Sequence, residues 1–191
     1  MMLRMGIIVW AVFLLLVGCV TEKPIEKAPL PTESAETYFN RGVDASQKGE
    51  YKRAISDYNK AIEINPDFVV AYLNRGYSQS RMGEYEKAIS DYTKAIELNP
   101  RYAIAYYNRG FVYRRMGGYD RAILDFTKAI ETDPKYASAY YYRGHIYHYN
   151  GEVEKAWEDI KKARSLGYKV SSEFLKNLKE AYEKQKGISP N

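Results

Sequence analysis

Few side chains in this 191-residue chain are equipped for chemistry. His145 and His148 are its only histidines, three residues apart, and on a helix that spacing would let them share a metal ion. A stable zinc site takes three or four ligands, and no cysteine or paired acid is phased to supply the others. Cys19, the one cysteine, lies near the N-terminus. No G-x-S-x-G, Walker or H-E-x-x-H pattern occurs, so no nucleophile stands beside a base. The expectation is therefore no catalytic residue, no metal and no cofactor. What remains is recognition chemistry: 20 tyrosines between Tyr38 and Tyr182, interleaved with arginines.

Those rings and guanidinium groups are positioned by a repeat. The stretch Ala103 to Lys135 is written four times at a shift of 34 residues, beginning at Ala35. With Ala35 as phase one, phase four holds Tyr38, Tyr72, Tyr106 and Tyr140, and phase eight holds Gly42, Gly76, Gly110 and Gly144. Phase twenty is alanine in every copy, Ala54, Ala88, Ala122 and Ala156, and phase twenty-seven repeats it with Ala61, Ala95, Ala129 and Ala163. Phase twenty-four carries Tyr58, Tyr92, Phe126 and Ile160. A period of this length implies a solenoid of helical hairpins, each completed by its neighbour. A mid-helix glycine costs about 1 kcal/mol relative to alanine, so phase eight marks a place where another helix backbone passes too close for a side chain. Gly49, Gly83, Gly117 and Gly151 close the first helix of each hairpin in the left-handed conformation. Pro66, Pro100 and Pro134 end the second, through the residue before each.

These columns resemble the tetratricopeptide repeat, over residues 35–168 in four copies (35–68, 69–102, 103–136 and 137–168). The resemblance implies an all-α solenoid whose first helices line a concave groove. One departure stands out: phase seven is Arg41, Arg75, Arg109 and Arg143, and phase twenty-three is Asp57, Asp91, Asp125 and Asp159. An arginine never present without its aspartate predicts a ladder of bidentate ion pairs. The groove-facing phases implied by the family are Phe39, Leu73, Tyr107 and Tyr141, then Val43, Tyr77, Phe111 and His145, with Arg81, Arg114, Arg115 and His148 at the border. The lysine and arginine positions of the family's carboxylate clamp hold Phe39, Leu73, Ile104 and Tyr142, so that clamp is not reproduced. A peptide with aromatic or aliphatic anchors suits this groove better.

Residues 1–18 read as a signal peptide: Arg4, then an apolar run from Gly6 to Val17 that falls short of the about 20 residues needed to span a bilayer. The junction Leu16, Val17, Gly18, Cys19 resembles a bacterial lipobox, which implies lipid on Cys19 and a membrane anchor. Residues 19–34 carry three prolines and read as a tether. Val20 after the cysteine resembles lipoproteins of the outer membrane, so the expected location is the cell envelope. Residues 169–186 form an amphipathic capping helix, capped by Ser171 or Ser172, and residues 187–191 a tail.

The net charge of +5 comes from bases interspersed with acids, without the basic stripe that nucleic-acid binding requires. The expected function is a membrane-anchored scaffold that binds a protein or peptide client. The alternatives are a self-associating module, as a homodimer, and an accessory protein that binds cell-wall glycan on its tyrosines.

Overall fold

The computed structural model describes residues 33–187. The signal peptide, Cys19 and most of the tether lie outside the described residues, as do residues 188–191. The described part is all-α, with nine helices: α1 (Ala35–Gln47), α2 (Tyr51–Ile64), α3 (Val69–Arg81), α4 (Tyr85–Leu98), α5 (Ala103–Arg115), α6 (Tyr119–Thr132), α7 (Ala137–Tyr149), α8 (Val153–Ser165) and α9 (Ser172–Lys186). Each odd helix packs on the even helix after it, and each even helix on the next odd one, so neighbours in sequence are neighbours in space. That is an α-solenoid of four hairpins with a ninth helix on its end. Among the described residues no helix is long and apolar enough to cross a membrane.

The punctuation works as the residue types require. Gly49, Gly83, Gly117 and Gly151 have φ of 78°, 80°, 78° and 78°, and a Cβ at any of them would touch nothing within 4 Å. Conformation alone selects glycine there. At the other end of each hairpin, Asn65, Asn99 and Asp133 turn to extended ψ, and their side-chain oxygens accept from the backbone N–H two residues on, at 3.2, 3.1 and 2.9 Å. The fourth hairpin lacks the proline, and its second helix ends instead at Gly167, with φ 88°. Helix α9 is capped by the Ser171 hydroxyl, which accepts from Phe174 N–H at 3.2 Å.

The alanine columns at phases twenty and twenty-seven are wholly buried, as are Tyr58, Tyr92, Phe126 and Ile160. Phase eight needs one correction. A Cβ on Gly42 would sit 2.6 Å from the Tyr58 ring, and one on Gly76 2.9 Å from the Tyr92 ring. On Gly110 and Gly144 it would meet the Cβ of Asp125 at 3.0 Å and of Asp159 at 2.9 Å. What crowds the glycine is chiefly the side chains of the opposing helix at phases twenty-three and twenty-four, with the Ala88 and Ala156 carbonyls as the backbone contribution at 3.2 and 3.3 Å. Counting by 34 puts Leu178 of α9 at phase eight, and it is fully buried against Ala156 and Ile160, but the α9 residues at phases three and ten, Glu173 and Glu180, are exposed where α3, α5 and α7 bury theirs. Among the described residues no second helix packs on it from beyond α9, so a large side chain fits.

Candidate binding groove

The arginine ladder forms and extends beyond what the columns imply. Arg75 donates from Nε to Asp91 Oδ2 at 2.7 Å and from Nη2 to Oδ1 at 2.6 Å. Arg109 meets Asp125 at 2.8 and 2.8 Å, and Arg143 meets Asp159 at 2.8 and 2.9 Å, in the same fork. Arg41 differs, placing both nitrogens on Asp57 Oδ1 at 2.8 and 2.6 Å and leaving the buried Oδ2 without a partner. The remaining nitrogen, Nη1, reaches back into the preceding repeat: to Asn59 at 2.6 Å, Thr93 at 2.9 Å and Thr127 at 2.9 Å. Arg41, in the first of the described repeats, turns that nitrogen to Glu33 at 3.1 Å. Arg75, Arg109 and Arg143 thus each join two helices of their own hairpin and a third from the neighbour. These arginines belong to the scaffold, not to the ligand face.

The phase-five column is also committed to packing. Phe39 lies 5.1 Å from Phe68, Tyr107 4.9 Å from Tyr136, and Tyr141 stacks on Tyr168 at 4.3 Å. Each covers the turn that leads out of its own repeat. Leu73 is the clearest correction: expected in the groove, it is 7% exposed and belongs to the core with Ala88 and Tyr92, where Tyr102 and Ile104 cover it. A leucine is shorter than the rings at equivalent positions and sinks beneath the next hairpin.

The other groove candidates divide into two halves. In the first two repeats Val43, Tyr77 and Arg81 line an open cleft of about 290 Å³ together with Ser46, Tyr51 and Asn74. Tyr77 is exposed, and its hydroxyl accepts from Arg81 Nη1 at 2.8 Å. The Arg81 guanidinium lies 5.1 Å over the Tyr51 ring. At the cleft wall stands Tyr58, buried, with its hydroxyl making no hydrogen bond. Burial pushes that phenol up to about 12, so it remains a neutral donor at any ordinary pH. The columns mark Tyr58 as core, and it is wholly buried; the first two copies have Tyr where the others have Phe and Ile.

In the last two repeats the rings fill the space themselves. Phe111 meets Tyr142 edge-on at 5.3 Å, and Arg114 lies 5.0 Å over both rings, with its Nε buried and unpartnered. Arg115 is exposed and donates to the Tyr85 hydroxyl at 3.1 Å. His145 stacks on Phe174 of α9 at 5.0 Å, and His148 meets the same ring edge-on at 5.3 Å. Burial, then the charges of Arg114 and His148, hold His145 below the usual histidine range. Among the described residues no cluster of three or more His, Cys, Asp or Glu could hold a metal ion, and what the two histidines do touch is the Phe174 ring. The two histidines therefore act as packing partners of the ninth helix.

Comparison with known proteins agrees with this geometry. A model described as tetratricopeptide repeat matches residues 35–68 and 103–136, and a second of the same description matches 57–90 and 126–158. A model described as TPR repeat matches 81–117. An uncharacterized protein of Methanocaldococcus jannaschii is 44% identical over 34 residues, which is 18% of this chain and 40% of that protein. The chain thus spans well under half of that curated relative. Among solved structures, MamA is 32% identical with a TM-score of 0.67, covering 69% of this chain and 77% of that one. Another MamA structure is 27% identical at 0.67, covering 81% and 83%. The first TPR of Spaghetti (RPAP3), bound to an HSP90 peptide, is 25% identical at 0.60, covering 62% and 94%. Four hairpins in one register, matched by three repeat models and by solved structures over most of their length, mean that the chain belongs to the tetratricopeptide repeat family.

Proposed function

We propose that the protein is a membrane-anchored scaffold that holds a peptide or protein segment on the face of its first helices, with the principal contacts in the cleft of the first two repeats. The observation that carries this reading is the unmet charge of that cleft: Arg81, which lines it, is matched by a phenol rather than a carboxylate. A group so placed gains from a ligand that supplies acceptors. That a neighbour of the same fold is bound to a peptide supports a peptide as the ligand class. The exposed Tyr77 is the anchor for an apolar side chain, while Tyr107 and Phe111 stiffen the groove floor. Lipid on Cys19 would place the scaffold in the cell envelope, on the outer membrane in a diderm bacterium, and raise the effective concentration of its client there.

The test is photo-crosslinking from position 77 in living cells. A protein adduct that disappears in Arg81→Ala, with the fold intact by circular dichroism, supports the groove. Capture of a second copy of the chain would instead indicate self-association, and capture of cell-wall material the glycan reading. Cys19→Ser should abolish lipid labelling and release the repeats from the membrane; retention would sink the anchor.

A further inference from the structure

The third repeat departs from its siblings at one turn position. Phase sixteen is Glu50, Glu84 and Glu152 in the other copies and Gly118 in the third, while phase nineteen is a cation throughout: Arg53, Lys87, Arg121 and Lys155. Where the glutamate is present it pairs with that cation, Arg53 with Glu50 at 3.0 Å, Lys87 with Glu84 at 2.9 Å, and Lys155 with Glu152. Arg121 keeps only the ring contact of the motif. It stands 5.6 Å over Tyr113, as Lys155 stands 5.2 Å over Tyr147 at the same phases, and it forms no salt bridge among the described residues.

The fold does not demand the glycine. Gly118 has φ −81° and ψ 63°, against −83° and 63° at Glu84 and −82° and 62° at Glu152. A Cβ there would come no closer than 3.4 Å, to the Tyr113 carbonyl, which is ordinary contact. Instead the missing side chain coincides with an open cleft of about 690 Å³. Its walls include Ile89, Tyr113, Met116, Tyr119 and Arg121. Met116 is 45% exposed, and Tyr149, whose ring lies 5.1 Å from that of Tyr119, is 71% exposed. A cation without its acid thus borders exposed apolar surface, at the hairpin turns and apart from the Arg81 cleft.

We propose that this turn cleft docks a partner segment carrying one carboxylate beside one apolar side chain. The carboxylate takes the place that glutamate holds in the other three repeats and pairs with Arg121; the apolar side chain rests on Met116 and Tyr119. Glu86 and Asp120 also line the cleft and would repel a second acid, so the site selects a single carboxylate rather than an acidic run. This surface is independent of the groove of the first two repeats, and either can fail without the other.

The test titrates the full chain, observed at its methionine methyl groups by NMR, with N-acetyl-Glu-Leu-amide and N-acetyl-Gln-Leu-amide. The glutamyl peptide is expected to shift the Met116 methyl and to bind about three- to five-fold more tightly than the glutaminyl one, the scale of an exposed ion pair. Arg121→Gln should level the two. Gly118→Glu rebuilds the sibling repeats' own pair on a backbone already suited to it, so it should fold and lose the preference. Silence of Met116, equal affinities in the native chain, or an undiminished preference in Gly118→Glu would overturn the proposal.

Discussion

Arg109 and Asp125 meet as a planar fork, Nε to Oδ2 and Nη2 to Oδ1, both at 2.8 Å, while the third nitrogen of the same guanidinium reaches Thr93 of the preceding hairpin at 2.9 Å. Asp125 is buried, and the Arg109 side chain is nearly so. Removing one partner of a buried pair costs about 3–5 kcal/mol, because it strands the other charge, whereas replacing both with apolar residues is often close to neutral. Arg109→Ala is therefore expected to destabilise by about 3 kcal/mol in urea unfolding, and Arg109→Met with Asp125→Leu by much less. Arg109→Lys should resemble the alanine variant, since an ammonium cannot make the fork. A double variant as unstable as the single one would mean that the ladder contributes net stability.

The two kinds of glycine should respond differently to the same methyl group. At Gly49 the φ of 78° is the only obstacle, and Gly49→Ala is expected to cost about 1–2 kcal/mol. At Gly42 the conformation is helical and alanine is locally favoured, yet the Cβ would overlap the Tyr58 ring at 2.6 Å. Overpacking of this kind costs about 1–3 kcal/mol. The variants can be told apart by structure: Gly42→Ala should displace the Tyr58 ring and alter its tyrosine fluorescence or NMR signals, while Gly49→Ala should leave the core unchanged.

How much of this was legible in the columns follows from which contacts stay inside one repeat. The hairpin, its stops and the Arg–Asp fork each involve residues at fixed separation within a copy, so a single column or pair of columns reveals them. The third nitrogen of Arg109 and the burial of Leu73 do not, because their partners, Thr93 in one case and Tyr102 and Ile104 in the other, belong to adjoining turns and repeats. The family's groove positions imply a free face at phase five, whereas here the local rings of Phe68 and Tyr136 cover it. The turn cleft was legible in principle, as a lone Gly118 in a column of glutamates, but its meaning rests on the distances that the sibling pairs adopt.

Acid should loosen the C-terminal end first. His145 titrates below the ordinary 6.5 because of burial and the charges of Arg114 and His148, and the Phe174 ring that faces it from α9 carries no compensating charge. A depressed histidine is neutral in the fold, so the unfolded chain takes up the proton first. Its contribution is complete above about 6.5 and is lost as pH falls through the folded value. Local opening of α9, followed by hydrogen exchange or by Trp157 fluorescence, where that ring stacks on Tyr182 at 5.5 Å, is expected to increase in that window. His145→Gln should flatten the dependence. An unchanged slope in that variant would assign the effect to another group.

The ladder also ends by a change of residue type, and this end can be tested. In the first three repeats phase twenty-five is Asn59, Thr93 or Thr127, each accepting from the next repeat's arginine. In the fourth it is Lys161, engaged with Glu158 at 3.1 Å, and the α9 residue at phase seven is Asn177. A cation thus stands where the other three hairpins offer an acceptor to the next repeat's arginine, and it would repel an arginine placed there. If α9 holds the phase of a first helix there, Asn177→Arg brings a charge toward Lys161 with no aspartate beneath it and is expected to destabilise the docking of α9. Adding Lys161→Thr should restore part of the loss by returning the acceptor, a coupling of about 0.5–1 kcal/mol between the two positions in a double-mutant cycle. Strict additivity of the two substitutions would show that α9 does not hold the register of a first helix at that level, and that the cap is set by Leu178 and Phe174 alone.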